Sequence, residues 1–237
     1  MAYTERFDGR KFDEPRPMEA KAGVIKNADG SAWFKIGKTE AYAAVYGPRD
    51  LHPKFLQNPS SGVLRCYYNM MPFSGAGERV RPGQNRRAKE ISMVTEKALL
   101  PVLDLSEFPN AVIDVFIELP QTDAGSRSAG ICAAAIALAD AGVPMKDMVA
   151  AIAVGCVGDK AIVDLSYAEE AYEDAAVADV PMSVINNTEE ITLLQMDGEI
   201  KKELLIEALK LGLSASKKVH EVQVNALKEK YAKGDAQ

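Results

Sequence analysis

Three short stretches of this 237-residue chain carry side chains that could do chemistry together. The first is QTDAGSRSAGICAAAIALADAG, residues 121 to 142, where a glycine, a hydroxyl and a guanidinium (Gly125, Ser126, Arg127) stand side by side ahead of an Ala- and Ile-rich run. The run predicts a helix from about Ser126. A helix start presents unpaired backbone N–H groups and the positive end of the macrodipole, and a glycine lets an anion approach that backbone closely. Ser126 would add a hydroxyl donor and Arg127 a guanidinium fork, so phosphate or sulfate is the matching guest. The plainer alternative is that Gly125 merely ends the loop, Ser126 caps the helix and Arg127 pairs with a carboxylate such as Asp123. Neither GxxxxGK[ST] nor GxGxxG occurs.

The second stretch, ERVRPGQNRRAKE at 78 to 90, places Arg79, Arg81, Arg86, Arg87 and Lys89 around a Pro-Gly turn, five cations against two carboxylates. Such a patch could track a phosphate backbone, or it could be a solvated loop leading into a helix. The third, AEEAYEDAAVADVP at 168 to 181, carries Asp174 and Asp179. Carboxylates at this separation could hold Mg²⁺ through oxygen ligands or act in proton transfer, or form a wet acidic loop. Taken together, an anion-binding helix start, an arginine patch and an acidic pair are what phosphoryl transfer on a polyanion requires.

The elements that must position these residues follow from hydrophobic periodicity. EAKAGVIK, SAWFKIG, EAYAAVYG and VLRCYYNMM alternate as strands, with a turn at 27 to 30, and predict a meander of about four strands. From Arg86, the apolar positions Ile91, Val94, Ala98 and Leu99 have the spacing of a helix packed on one face. PNAVIDVFIEL reads as a strand, and Gly142 with Pro144 stops the helix begun at about Ser126. Two hairpins follow, turning at Gly158-Asp159 and at Asn186-Asn187, and a long helix from about Glu199 to Lys230 closes the chain before a frayed tail. Strands, helix, strand, helix, strands, helix is the order of a single α+β domain with helices on one face of its sheet.

Composition narrows the function classes. A hydrophobic content of 47% is ample for a core, and a formal net charge of -6 argues against a chain coated in nucleic acid while leaving a local basic patch open. Cys66, Cys132 and Cys156 lack CxxC spacing and companion histidines, which disfavours disulfides and zinc and fits a reducing cytoplasm. The charged N-terminus and the lack of an apolar run of roughly 20 residues disfavour secretion and membrane insertion.

The chain also resembles the RNase PH family over nearly its whole length, most closely the catalytic RNase PH-like subunits of archaeal exosomes. The matching stretches include DGRKFDE at 8 to 14, AAVYGPRDLHP at 43 to 53, RCYYNMMPFS at 65 to 74, RPGQNRRAKEIS at 81 to 92, residues 111 to 145, ADVPMSVI at 178 to 185 and EITLLQMDG at 190 to 198. The resemblance implies an RNase PH-like fold of mixed β-sheets packed with helices, assembled with a paralogous subunit into a hexameric ring that carries RNA-binding cap proteins. It implies phosphorolysis of single-stranded RNA: inorganic phosphate attacks the last phosphodiester, and nucleoside diphosphates leave from the 3′ end. The family's phosphate site falls on Gly125, Ser126 and Arg127, its RNA-phosphate arginines on Arg87 with Arg86 beside it, and its paired aspartates on Asp174 and Asp179, which would also place Mg²⁺. The loop RDLHPKFLQNPSSGVLRC, with Lys54 and Arg65, would line the entrance by which single-stranded RNA reaches the site. One departure stands out: the family's aspartates are spaced one position wider than Asp174 and Asp179, the segment after Asp164-Leu165-Ser166 is longer than in relatives, and Glu173 keeps the usual spacing to Asp179. A non-catalytic ring subunit, a stand-alone enzyme trimming tRNA 3′ ends and a small-molecule phosphotransferase are the rival readings.

Overall fold

A parallel strand pair needs a crossover to return the chain to the same edge, and that requirement reorders the first sheet. The computed structural model describes residues 3–76, 80–83 and 85–234. Strands β1 (Met18–Ala22), β2 (Gly30–Ile36) and β3 (Thr39–Asp50) form an antiparallel meander. The fourth strand of the expected meander does not continue it. Strand β4 (Val63–Met70) lies at the far edge, parallel to β5 (Ala111–Gln121), which inserts beside β3 to give the order β1-β2-β3-β5-β4. The crossover is helix α1 (Arg86–Leu99), whose Ile91, Ala98 and Leu99 are fully buried as their spacing predicts.

The second sheet is antiparallel. Strands β6 (Val149–Val157) and β7 (Lys160–Val163) form the hairpin turning at Gly158-Asp159, and β8 (Val177–Ile185) pairs with β6 and with β9 (Glu190–Leu194), the latter turn including Asn186-Asn187. A two-residue strand β10 (Asp197–Gly198) pairs with the start of β8. A four-residue helix α3 (Tyr167–Glu170) sits between β7 and β8. The closing helix α4 (Lys202–Gly234) covers β6, β7 and β1.

Helix α2 (Ser126–Asp140) departs from the expected arrangement of helices on one face. It packs against β2, β3 and β5 of the first sheet and against β6 of the second, so a sheet lies on each side of it. Its sequence explains the position: a helix apolar all round has no face to give to water. Only Arg127 and Ala139 are less than fully buried, and Ile131, Ile136 and Leu138 each contribute about 1.5–3 kcal/mol relative to an exposed side chain. One hydrophobic cluster therefore runs from Phe34 and Val45 through α2 to Ile152 and Val180.

Candidate active site

The N-terminal end of α2 opens into a cleft of about 810 Å³. Gly125 precedes the helix at φ +65°, the left-handed region that glycine enters without penalty, and no side chain caps the helix start. Ser126 is therefore the first helical residue and not the cap. Arg127 does not pair with Asp123; it hydrogen-bonds Gln195 and stands 3.6 Å from Glu90, while Gln195 Nε2 donates to Glu90 Oε1 at 2.9 Å. This bracing holds the guanidinium over the cleft that Gly125, Ser126 and Arg127 all line. Tyr68, on β4, lines the same wall, and its buried hydroxyl has no partner among the described residues.

The opposite lip is the first turn of α1, where Asn85 accepts a hydrogen bond from the Ala88 N–H at 2.8 Å and caps the helix. Two arginines follow the cap and no acid lies in that turn, an arrangement that works against the helix dipole by some tenths of a kcal/mol. Arg87 lines the cleft; Arg86 is exposed and does not. Arg79, from the same basic stretch, lies outside the described residues.

The acidic wall comes from the second sheet. Asp179 on β8 stands opposite Gly155 of β6 and Asp197 of β10 in the strand register. Only glycine fits at 155, because a Cβ there would lie 1.9 Å from the Ala178 carbonyl oxygen. Burial pushes the Asp179 carboxyl up to about 6, with Asp197 and Asp164 adding to the rise and Arg127 and Arg87 opposing it. One of its oxygens, Oδ1, is buried without a partner among the described residues. Its acidic neighbour in the cleft is not Asp174. Asp174 and Glu173 are both exposed on the loop between α3 and β8, and neither lines the cleft. The residue that does is Glu170, raised to about 7 by burial and by the Asp179 charge against the pull of Arg16 and Arg87.

Local sequence accounts for this placement. Ser166 and Glu169 form a capping box, which starts α3 at a fixed place and brings Glu170 to the cleft. After the helix the chain from Ala171 to Ala176 packs Tyr172 and Ala175 on the small cluster around Tyr3 and Leu165 and leaves Glu173 and Asp174 exposed. The sequence signal for this placement is Ser166-x-x-Glu169.

Arg65 follows the loop that the sequence singled out. It belongs to β4, faces Asp114 across the parallel β4–β5 pair, and is held by it through two hydrogen bonds of 2.8 and 3.1 Å. Its fork is thus already occupied. Lys54 and Phe55 are exposed on the preceding loop.

Residues 14–144 and 147–215 match domain 1 and domain 2 of the 3′ exoribonuclease family, RNase PH. The chain belongs to the RNase PH family. It is 52% identical to the exosome complex component Rrp41 of Thermococcus kodakarensis over 97% of this chain and 90% of that protein. The Rrp41 component of Nitrosopumilus maritimus is 47% identical over 98% of this chain and 94% of its own length. Among solved structures, rice Rrp46 superposes with a TM-score of 0.83 at 25% identity, covering 94% of this chain and all of that one. An Archaeoglobus fulgidus exosome with RNA bound to the active site shares the fold at a TM-score of 0.77 and 24% identity, covering 92% of each chain. The RNase PH family's two segments divide this chain between the first sheet with α1 and α2, and the second sheet with the first part of α4. Among the described residues no helix is long and apolar enough to cross a membrane.

Proposed function

We propose that the cleft performs phosphate-dependent 3′-to-5′ RNA degradation, with the chain acting as a catalytic subunit of an exosome-type ring in the cytoplasm. The observation that carries this reading is that Gly125, Ser126, Arg127 and Arg87 line the same cleft as two protonatable carboxylates, Glu170 and Asp179. Inorganic phosphate is held by the Ser126 hydroxyl, the Arg127 fork and the N–H groups at the start of α2. An oxygen of that phosphate attacks the phosphorus of the terminal phosphodiester. The bond to the 3′ oxygen of the penultimate nucleotide breaks, releasing a nucleoside diphosphate and a shortened RNA. Arg87 and Arg127 offset charge on the equatorial oxygens as the bond to the leaving oxygen loosens. The raised pKa values leave a proton in the Glu170–Asp179 pair near neutrality, and the pair gives it to the leaving 3′ oxygen.

Asp179, which ionises before Glu170, fits Mg²⁺ while Glu170 keeps the proton. Asp179 Oδ1 is a buried oxygen without a donor among the described residues, and Mg²⁺ favours one or two carboxylates supplemented by water and substrate phosphate. When bound, the ion would neutralise charge on the reacting phosphates. The exposed Lys54 would steer single-stranded RNA toward the cleft. A paralogous RNase PH-like subunit and RNA-binding cap proteins complete the assembly in this reading, supported by the exosome naming of the Rrp41 relatives.

The test is to incubate the chain, with and without a paralogous subunit, with 3′-extended labelled RNA and inorganic phosphate. Nucleoside diphosphates that appear only with phosphate, and reversal to RNA tailing in excess diphosphate, are expected. Monophosphates released in phosphate-free buffer would overturn the reading.

A further inference from the structure

The two halves of the cleft come from different sheets, yet one buried side chain touches both. Arg16, in the segment before β1, is 5% exposed. Its backbone N–H and Nε donate to Asp164 Oδ2 at 2.7 and 2.8 Å, and its Nη2 donates to Asp164 Oδ1 at 2.7 Å. The other edge of the same guanidinium faces the glycine loop: Nη2 reaches the Ala124 carbonyl at 3.3 Å and Nη1 reaches Asp123 Oδ2 at 3.4 Å. Ala124 and Asp123 immediately precede Gly125. Asp164 immediately precedes the turn into α3, which carries Glu170.

Both ends of this bridge are held by further bonds. Asp164 adopts φ +55°, unusual for a residue other than glycine, and its carbonyl accepts from Arg6 Nη2 at 2.8 Å and Arg10 Nη2 at 3.2 Å. On the other side, Thr39 Oγ1 donates to the Ala124 carbonyl at 2.7 Å and accepts from the Asp123 N–H at 3.0 Å. A simple anchor for Asp164 would not need a fork that also grips the glycine loop, and a lysine could supply the charge alone.

We infer that Arg16 is a positioning residue: with Asp164 it forms a strut that fixes the separation between the phosphate cradle at Gly125 and the carboxylate pair at Glu170 and Asp179. This rests on the phosphorolytic reading, since only a reaction that joins an anion on one wall to a proton donor on the other depends on that separation. Phosphate and the leaving oxygen must be presented in line, and small misplacements of such groups are costly. Arg16→Lys keeps the charge beside Asp164 and removes the second edge of the fork. Thr39→Val loosens the glycine loop from its other side without touching Asp164, and serves if Arg16→Lys fails to fold.

The experiment measures, for parent and both variants, kcat and the phosphate KM on a single-stranded oligoribonucleotide, RNA affinity by filter binding, and the melting temperature. Assays run well below the lowest melting temperature, in whichever assembly makes the parent active. The strut predicts kcat over phosphate KM lowered by about ten- to hundredfold in Arg16→Lys, and less in Thr39→Val, with RNA affinity within about twofold of the parent. A lower melting temperature with unchanged kcat and phosphate KM in the variants that fold would overturn the strut and leave the phosphorolytic reading standing. A parent that turns over RNA without phosphate would overturn both.

Discussion

Glu169 and Glu170 are neighbours in one short helix, and the structure treats them in opposite ways. Glu169 is fully buried, and burial alone would raise its pKa. Two hydrogen bonds from Arg6 at 2.8 and 2.7 Å, one from the Ser166 N–H and one from the Tyr3 hydroxyl overcome that penalty and hold it below the usual carboxylate range. Glu170, one residue on, faces the cleft, where burial and Asp179 lift it to about 7. The lesson is that desolvation by itself does not decide what a buried acid does. A carboxylate whose lone pairs are met becomes a fastener, and one left without donors keeps a proton available for chemistry.

That contrast is breakable by mutation. The largest effect should come from Asp179→Asn and Glu170→Gln, each lowering kcat by about 10²–10⁴-fold while RNA still binds, because each removes a group used in the chemical step. Asp174→Asn should stay within about twofold of the parent, as an exposed loop carboxylate should. Measured side by side in single-turnover assays, equal losses for Asp174 and Glu170 would reverse the assignment.

Next in size is the fastener. Glu169→Gln leaves the Arg6 guanidinium buried without its counter-charge and should cost about 3–5 kcal/mol of stability in denaturant unfolding. If that variant unfolds as the parent does, the Arg6–Glu169 pair is not what secures α3.

A smaller effect has opposite signs at the two neighbours. Glu170 carries a raised folded pKa, so between about pH 4.5 and about 7 the folded chain binds more protons than the unfolded chain, and stability falls as pH rises through that window. In metal-free protein, Glu170→Gln should therefore be the more stable form at pH 7.5, by on the order of 1 kcal/mol once solvent screening is allowed for, and the gain should vanish near pH 4. Glu169 has a lowered folded pKa, so its contribution is present above the unfolded carboxylate value and lost as pH falls through the folded one. Melting temperatures of the two variants across pH should diverge in opposite directions.

The smallest effect concerns the two arginines that open α1. Arg86→Glu with Arg87→Glu should weaken RNA binding and flatten its salt dependence by about one unit of slope for each RNA phosphate no longer neutralised. The same pair should strengthen the helix start by about 0.3–1 kcal/mol through the macrodipole. Weaker binding in a slightly more stable protein separates a site residue from a structural one. Split into single variants, Arg87 should account for most of the binding loss, since Arg86 does not line the cleft.

What could be read from the sequence was what is local. Gly125-Ser126-Arg127, the spacing of Ile91 and Leu99, and both hairpin turns are decided by residues within a few positions of one another, and the structure places each element where those residues put it. The position of β4 was not legible, because its partner β5 lies beyond a whole helix and either edge of the meander satisfies the alternation. The pairing of Arg65 with Asp114 was hidden for the same reason: the two are adjacent only after the parallel pair has formed. The side on which Asp174 lies was not legible either, because the exposed loop between α3 and β8 carries no periodicity that would aim a carboxylate at the cleft. Arg16 gave no local signal at all, since its three partners are brought to it by two sheets and a loop.

Helix α2 has a consequence for how the chain folds as a whole. It lies within the first family segment, residues 14–144, yet it packs against β6 of the second, residues 147–215. The second sheet expressed alone would present its inner face to water and should be protease-sensitive and prone to associate, so the two segments are neither separable nor interchangeable modules. The backbone amides of residues 129 to 138, sealed between two sheets, have no route to solvent short of opening the entire molecule. Their hydrogen exchange should track global unfolding, which makes the element that carries the phosphate cradle at its tip the last part of the protein to loosen.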